Sequence, residues 1–456
     1  MKKAAIRTIY RNTLDKFKVN ISFDEHWSYY KPVDNSLPTS GFKIHLSASI
    51  NNATAIIERC LPYLIQKGLN FKVVSSLRIF ELQNRGMFGF SQIGKLVTIY
   101  PCNDQELNTC LEELNLLTKD INSPLIPSDF NYKQSTVVHY RYGAFKQLYN
   151  KENTKMLLEL SNGSILEDKR TKTIPQEVDV TIQDFKYPRL QEIPKNFLIL
   201  SVLRKRGKGG VYKIFDTTDK RLKILKEGCL LGEIEESGVD GLDRIFWEKK
   251  VLEDMQELVY TPKIYDAFYV ARNFFIVQEF FEGETLEDIL YNKPSFTEIT
   301  TLDIVIKIAK AVETIHINYK YTIRDLSFNN ILINKLHEVK LIDFEFAHKN
   351  TEEAPPYILV GSPGFYDSTF SQEKNTIDIY SIVCILYYLI KPNEYEIIQN
   401  IKVDDFPQKL EDVSKKNLDD IDPLFKNIIQ KGLDFKYINI NELLNDLYIA
   451  QECVVK

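Results

Sequence analysis

The sequence predicts an α+β protein of two domains. The chain has 456 residues, 44% of them hydrophobic, which is enough for two or three ordinary cores. Apolar residues in the front part switch between strand and helix spacing, whereas beyond residue 198 strands come first and helices follow. Between these regions lies Asn150–Pro194, a polar, poorly periodic stretch that contains Pro188 and ends in Pro194. The expected division is an amino-terminal domain, with its arm and linker, over residues 1–185, and a carboxy-terminal domain over residues 186–456.

Taken in order, "GFKIHL" alternates as a strand. "NNATAIIERCLPYLIQKG" repeats Ile56, Ile57, Cys60, Leu61, Leu64 and Ile65 at helical spacing until Gly68 stops it. "LNFKVVSSL" returns to strand, "DQELNTCLEELNLLTKD" reads as a second helix, and "STVVHYRYGAF" completes the unit as β structure. Downstream, strands dominate residues 198–227 and 264–281, and helices dominate 300–456. The longest apolar run, "IYSIVCILYYLI" from Ile379 to Ile390, is flanked by Asp378 and Lys391 and is shorter than the ~20 residues a bilayer requires, so it reads as a buried helix.

The opening "MKKAAIRTIYRNTLDKFKVN" has basic residues but no apolar core, so it is not a secretory signal, and a cytoplasmic protein is expected. The six cysteines show no C-x-x-C spacing and the six histidines form no H-E-x-x-H, which argues against a disulfide scaffold or structural zinc. The net charge of −5 conceals an asymmetry: residues 1–190 carry 25 Lys and Arg against 19 Asp and Glu, and the remainder 33 against 44. Residues 41–100 hold seven basic and two acidic side chains, an excess that suits an anionic ligand, although solvated faces are the commoner origin of such charge. Neither nucleic acid nor a membrane is expected as a partner.

In "TIRDLSFNNILINKLHEVKLIDFEFA" the runs Ile331–Ile333 and Val339–Ile342 read as two strands joined by a polar turn. That hairpin brings Asn330 and Asp343 to one end as oxygen ligands for Mg²⁺, while Asp325 in the preceding loop can accept or orient a hydroxyl proton. The segment resembles the catalytic and metal loops of protein kinases, with Arg324, Asp325, Leu326 and Asn330 as R-D-L-x-x-x-N and Asp343, Phe344 and Glu345 as D-F-x. Upstream, "LRKRGKGGVYKIFD" is a strand, a glycine turn and a strand, whose Gly207, Gly209 and Gly210 allow backbone N–H groups to approach phosphates. "LKILKEG" then offers Lys226, with Lys223 as the competing lysine on the opposite strand face, and "DRIFWEKKVLEDM" offers Glu248 as ion-pair partner. Such a domain is bilobal and uses ATP, or another nucleoside triphosphate, with Mg²⁺. Ile323 replaces the usual His, Glu345 the usual glycine and Tyr212 the third loop glycine, and "GSPGFYDS" matches the activation-segment end only weakly. These departures argue against regulation by activation-loop phosphorylation. Asp378 reads as the buried anchor beneath the catalytic loop.

In "GFKIHLSAS" the period of two puts Lys43 and His45 on one strand face, and Phe42, Ile44 and Leu46 on the other. A neutral amine beside an imidazole can act as base and acid. Lys72, Lys95 and Arg141 also fall on predicted strands or their edges, with His139 on Arg141's face. Together "GFKIHLSA", "FKVVSSL", "GKLVTIYP" and "YRYGAF" are similar to the lyase domain of class III and IV lanthipeptide synthetases, itself resembling phosphothreonine lyases. The resemblance implies that the kinase phosphorylates Ser and Thr of a ribosomal precursor peptide carrying a leader, and that the lyase expels the phosphate to leave dehydroalanine or dehydrobutyrine. It further implies that Lys43 removes the α-proton, that His45 protonates the departing phosphate, and that Lys72, Lys95 and Arg141 hold phosphate or polarise the carbonyl, Arg141 bidentately. In the loop before "GK" of "NRGMFGFSQIGK" Arg85 is the only cation, so one phosphate contact of the family is expected to be missing or displaced. The family's complete members continue into a cyclase. Here Lys456 falls in what reads as the last kinase helix, which assigns cyclisation to a further domain or a separate protein. The alternatives are a Ser/Thr kinase with a basic anion-binding regulatory domain and a pseudokinase scaffold.

Overall fold

A computed structural model describes residues 2–17, 22–31, 37–146, 148–150, 152, 154–160, 162–183, 185, 193–292, 296–349, 361–366, 376–399 and 416–455. The chain forms two compact units: residues 1–221, 225–243 and 268–275 make the first, and residues 222–224, 244–267 and 276–456 the second.

The first unit opens with helix α1 (Lys2–Lys16) and is built on an antiparallel sheet of seven strands: β1 (Ser22–Phe23), β2 (Trp27–Tyr30), β3 (Ser40–Ser47), β4 (Asn70–Val74), β5 (Lys95–Tyr100), β6 (Phe130–Asn131) and β7 (Val138–Ala144). Their spatial order is β1-β2-β4-β5-β3-β7-β6. One face is core. Phe42, Ile44 and Leu46 of β3, Phe71 and Val73 of β4, and Val97 and Ile99 of β5 are buried in one cluster. Helix α2 (Ala53–Gln66) adds Ile56, Ile57, Cys60, Leu61 and Leu64, α3 (Leu77–Asn84) adds Leu77 and Phe80, and α4 (Asp104–Leu117) adds Leu107, Cys110, Leu111 and Leu114. Burial of each large side chain contributes about 1.5–3 kcal/mol, so this layer fixes which strand face is left for polar chemistry. Helix α2 ends where the sequence predicts: Gly68 adopts φ +63°, its N–H donates to Ile65 O at 3.0 Å, and Leu69 N–H donates to Leu64 O at 3.0 Å. This is the paired-bond C-terminus that a left-handed glycine permits.

The β3–β5 register carries an irregularity that matters later. Ile44 opposes Ile99, His45 opposes Thr98 and Leu46 opposes Val97, but Ser47 opposes Lys95, so Leu96 is an extra residue. Regular alternation would give Lys95 the core face of Val97; the bulge returns it to the face of His45 and Ser47.

The stretch Asn150–Pro194, expected to be a linker, is folded in its first part. Strands β8 (Leu148–Tyr149), β9 (Met156–Glu159) and β10 (Ile165–Glu167) form an antiparallel three-stranded sheet. Leu158 and Leu160 are buried with Ala144, and Ile174 and Ile182 join the main core. Strands of two to four residues are too short to show a period. Pro188 lies outside the described residues.

A second sheet has the order β11-β12-β13-β15-β14, formed by β11 (Phe197–Arg206), β12 (Gly209–Asp216), β13 (Arg221–Gly228), β14 (Ile264–Val270) and β15 (Asn273–Glu279); helix α5 (Gly241–Asp254) follows β13. Downstream come β16 (Glu284–Thr285), α6 (Leu286–Tyr291), α7 (Glu298–Thr314), β17 (Tyr321–Thr322), β18 (Ile331–Ile333), β19 (Val339–Leu341), β20 (His348–Lys349), α8 (Thr376–Ile390), α9 (Pro392–Gln399), α10 (Pro423–Leu433) and α11 (Ile440–Val455). Residues 378–389 of α8 are buried without interruption, as the apolar run predicts for a helix enclosed on all sides. No helix among the described residues is long and apolar enough to cross a membrane.

Asp378, fully buried on α8, accepts three hydrogen bonds: from Ile323 N at 2.7 Å, Arg324 N at 2.8 Å and His316 Nε2 at 2.7 Å. It anchors the loop that carries Asp325, the role the sequence suggests. Asp378→Ala orphans three buried donors and should destabilise the second unit by at least about 3 kcal/mol, read as a lower urea midpoint for that unit's transition. A midpoint unchanged from the parent would refute the anchor.

Candidate active sites

On the face of the seven-stranded sheet opposite the core, register assembles the predicted cations into rows. His139, His45, Thr98, Lys72 and Tyr29 lie directly across β7, β3, β5, β4 and β2. One pair further along, Lys43 opposes Arg141, and on the other side of His45 the bulge sets Lys95 opposite Ser47. All five predicted residues of the front domain therefore share one face.

Two carboxylates that the sequence reading missed organise this face. Asp129, 1% exposed, accepts from His45 Nδ1 at 2.5 Å and pairs with Lys95 Nζ at 2.9 Å; Ser128 Oγ adds a bond of 2.7 Å. Burial alone would raise the Asp129 carboxyl, but Lys95 and His45 hold it well below the usual carboxylate range. As an ionised acceptor it requires the His45 proton on Nδ1, so the lone pair sits on Nε2. Burial, then the Lys95 charge, push the imidazole down to about 3, against the pull of Asp129, and it is neutral at pH 7. His139 is neutral too, pushed to about 4 by burial, with both ring nitrogens occupied by backbone groups of Val137 and Ile126. Its role is structural.

The amines are also displaced from their ordinary state. Burial first, then the Arg141 charge, hold Lys43 well below the usual lysine range. Lys43 makes no hydrogen bond or ion pair among the described residues; its Nζ lies 5.6 Å from the centroid of the Tyr100 ring. Lys72 is lowered by burial to about 8, although its Nζ sits 3.9 Å over the Trp27 ring. Both amines give up their proton more readily than an ordinary lysine.

Arg141 departs from expectation. Its two terminal nitrogens are already engaged by Asp168, Nη1 to Oδ1 at 2.6 Å and Nη2 to Oδ2 at 3.5 Å, so the fork expected to grip phosphate is held by a carboxylate of the protein. Asp168 follows β10, inside the stretch read as linker, where no periodicity flags it.

Asp325, Asn330, Asp343 and Glu248 lie in the second unit, and Gly207, Gly209, Gly210 and Lys226 in the first. Asn330 Nδ2 donates to Asp325 O at 2.8 Å and to Asp325 Oδ2 at 3.0 Å, which leaves its carbonyl oxygen Oδ1 without a hydrogen bond among the described residues. Ile342 N donates to Asn330 O at 2.9 Å and Asp343 turns away at φ +66°, ending β19 one residue sooner than expected. An amide oxygen freed by its own NH₂ group, beside a carboxylate, is a hard donor set that fits Mg²⁺ with its phosphates and waters. Ser362 Oγ, unnoticed in the sequence, donates to Asp325 Oδ1 at 2.8 Å, as a substrate hydroxyl would. Asp367 and Ser368 of "GSPGFYDS" lie outside the described residues.

For the three glycines the structure supplies packing reasons. A Cβ on Gly207 would stand 1.8 Å from Asn84 O, and one on Gly209, at φ +151°, 1.7 Å from Glu227 O. One on Gly210 would meet the Tyr212 ring, whose hydroxyl donates to Glu227 at 2.7 Å. Lys223 is buried over Tyr265, with Nζ 4.8 Å from the ring centroid, whereas Lys226 is half-buried. Glu248 is buried and accepts from Gln278 Nε2 at 3.3 Å.

Residues 202–444 match the protein kinase domain, and the chain belongs to that family. Residues 9–192 match the N-terminal domain of RamC. The chain is 28% identical over 389 residues to a probable SapB synthase of Streptomyces coelicolor, covering 80% of this chain and 41% of that protein. A probable serine/threonine-protein kinase KIN1 homolog of Enterocytozoon bieneusi is 25% identical over 261 residues, 53% of this chain and 40% of that kinase. A RamC-type domain ahead of a kinase domain fits a class III lanthipeptide synthetase, lyase and kinase. The chain spans about two fifths of the length of these curated relatives.

The Lys72 amine has a thermodynamic signature. Its folded pKa, about 8, lies below its ordinary 10.5, so the ammonium destabilises the fold fully below pH 8, and stability recovers as pH rises from about 8 to 10.5. Lys72→Met should raise stability at pH 7 by up to about 3 kcal/mol and lose that advantage at the upper end of the window, measured by denaturant unfolding at each pH. A gain independent of pH would contradict the assignment.

Proposed function

We propose that the chain is a two-step peptide dehydratase. A kinase domain over residues 186–456 phosphorylates Ser and Thr of a leader-bearing ribosomal precursor peptide, and a lyase domain over residues 1–185 expels the phosphate to give dehydroalanine or dehydrobutyrine. The observation that carries this reading is the buried sheet face where deprotonatable amines, a tethered neutral imidazole and two cations meet. An anion-binding regulatory domain is served best by permanent charges; amines lowered by burial suit a base better, which is why the plain-kinase alternative is the weaker one.

In the first step Asp325 orients the Ser or Thr hydroxyl and takes its proton as the γ-phosphoryl group is transferred. Asn330 and Asp343 would hold Mg²⁺, whose charge would offset that of the phosphate oxygens. Gly207, Gly209 and Gly210 would serve the nucleotide phosphates through backbone N–H groups, with Lys226 as the phosphate lysine, Glu248 as its partner and Lys223 as the competitor.

In the second step a neutral lysine removes the α-proton. The Cα–H electrons become the Cα=Cβ bond, the Cβ–O bond breaks, and the departing phosphate oxygen takes a proton from His45 Nε2. The sequence resemblance gives the base role to Lys43. The electrostatics favour Lys72 instead, because Lys43 lies opposite Arg141, and an anion taken up there restores its proton. Lys72, at about 8, is near the operating pH, which balances availability against basicity. Lys43, Lys95 and Arg141 then hold phosphate and polarise the carbonyl. His45 is neutral at rest; the incoming dianion offsets the Lys95 charge and lets Nε2 take up a proton from solvent, which it then donates, while Asp129 supports the imidazolium. Thioether closure falls to a cyclase, as a further domain or a separate protein.

Mass spectrometry of a Ser/Thr-rich precursor incubated with ATP and Mg²⁺ tests the scheme. The parent should yield dehydrated peptide. His45→Ala should accumulate phosphopeptide with elimination slowed ~10²–10⁴-fold, and Asp325→Asn should leave the peptide unmodified. Lys72→Ala should abolish elimination while Lys43→Ala chiefly raises KM for phosphopeptide. Phosphopeptide alone from the parent would point to the plain kinase.

A further inference from the structure

We propose that Asp168 is a built-in competitor for the phosphate seat on Arg141, a specificity-determining residue that makes the sheet-face site accept a phosphorylated side chain and refuse a carboxylate one. This rests on the elimination proposed above and adds to it how the site recognises its substrate.

A two-pronged contact to an oxyanion needs two adjacent N–H groups of the guanidinium. Nη1 and Nη2 are engaged by Asp168, and Nε is buried without a hydrogen-bond partner among the described residues. The Nη1–Nη2 edge of Arg141 is taken while Asp168 stays, and the Nε edge is closed by burial. The guanidinium also lies over Gly143, where a Cβ would stand 2.8 Å from Nη2 and 3.1 Å from Cζ. It is therefore drawn along β7 toward Asp168 and away from His139, which opposes His45.

Asp168 is held in a way that permits exchange. Besides Arg141 it accepts, among the described residues, only from backbone N–H groups, Arg170 at 3.1 Å and Ala144 at 3.4 Å, and Arg170 itself sits at φ +51°. Displacement by a peptide carboxylate replaces one monoanion by another and gains nothing. A phosphate dianion brings a second charge and a third oxygen to a face that also carries Lys43 and Lys95, and it prevails. Selectivity then arises from a repulsive element as much as from an attractive one.

The opposite role, in which Asp168 only holds Arg141 in place, predicts the opposite sign. The test uses the full chain without ATP and a chemically prepared phosphoserine peptide, so the kinase does not contribute. Asp168→Asn should lower KM for that peptide and the inhibition constant of inorganic phosphate at least fivefold. It should also make the same peptide with Asp in place of phosphoserine an inhibitor, which it is not for the parent. An unchanged or raised KM overturns the proposal. Because the substitution leaves Arg141 beside a neutral amide and lowers Tm by itself, phosphate-induced thermal shifts provide a second reading. At equal inorganic phosphate, Asp168→Asn should gain at least twice the parent's rise in Tm, while Asp168→Glu, which keeps the charge, should match the parent. An equal or smaller gain also overturns it. If the larger shift appears but the parent eliminates nothing, elimination fails and the phosphate seat on Arg141 stands.

Discussion

The front domain depends on one buried carboxylate. Asp129 accepts from His45 and Lys95 together, and without it an ammonium and an imidazole would lie side by side in a desolvated layer with nothing to offset them. Its effect is more than neutralisation. Because an ionised carboxylate can only accept, Asp129 fixes the proton of His45 on Nδ1 and so decides which ring nitrogen faces chemistry. It also joins β3 to β5 through side chains just where the bulge has disturbed their backbone register. Geometry, tautomer and charge balance trace to the same two oxygens.

Charge on the whole face follows from that arrangement. Asp129 answers Lys95 and Asp168 answers Arg141, while burial lowers Lys43 and brings Lys72 down to about 8. The resting face therefore carries less charge than its basic composition suggests. An arriving anion favours the protonated form of its amines. The basic excess of residues 41–100 thus describes in part a capacity for charge.

Much of this was legible in the sequence. The alternation in "GFKIHLSAS" separates Lys43 and His45 from Phe42, Ile44 and Leu46, and the structure keeps that separation because the apolar side packs against α2 and α4. Helix α2, its stop at Gly68, the hairpin after Asn330 and the enclosed α8 were readable for the same reason: each has a local cause. What escaped had none. Asp129 and Asp168 act through contacts 84 and 27 positions away in the chain, and an isolated acid in a turn looks like any other. The meander of β8 to β10 reads as linker in the sequence because strands of two to four residues leave no period. Reading glycines for phosphate approach overlooked that backbone carbonyls of Asn84 and Glu227 already require them.

The extra residue Leu96 has a consequence for any effort to graft or shorten the loop between α3 and β5. Strand pairing beyond the irregularity is set by Val97 to Tyr100, so the face reached by position 95 depends on Leu96 between them and not on the number of residues ahead of it. Loops of different length can be exchanged before Lys95 with the ammonium kept on the working side. The segment from Lys95 onward, its extra residue included, is the unit that chimeras of this sheet must carry whole.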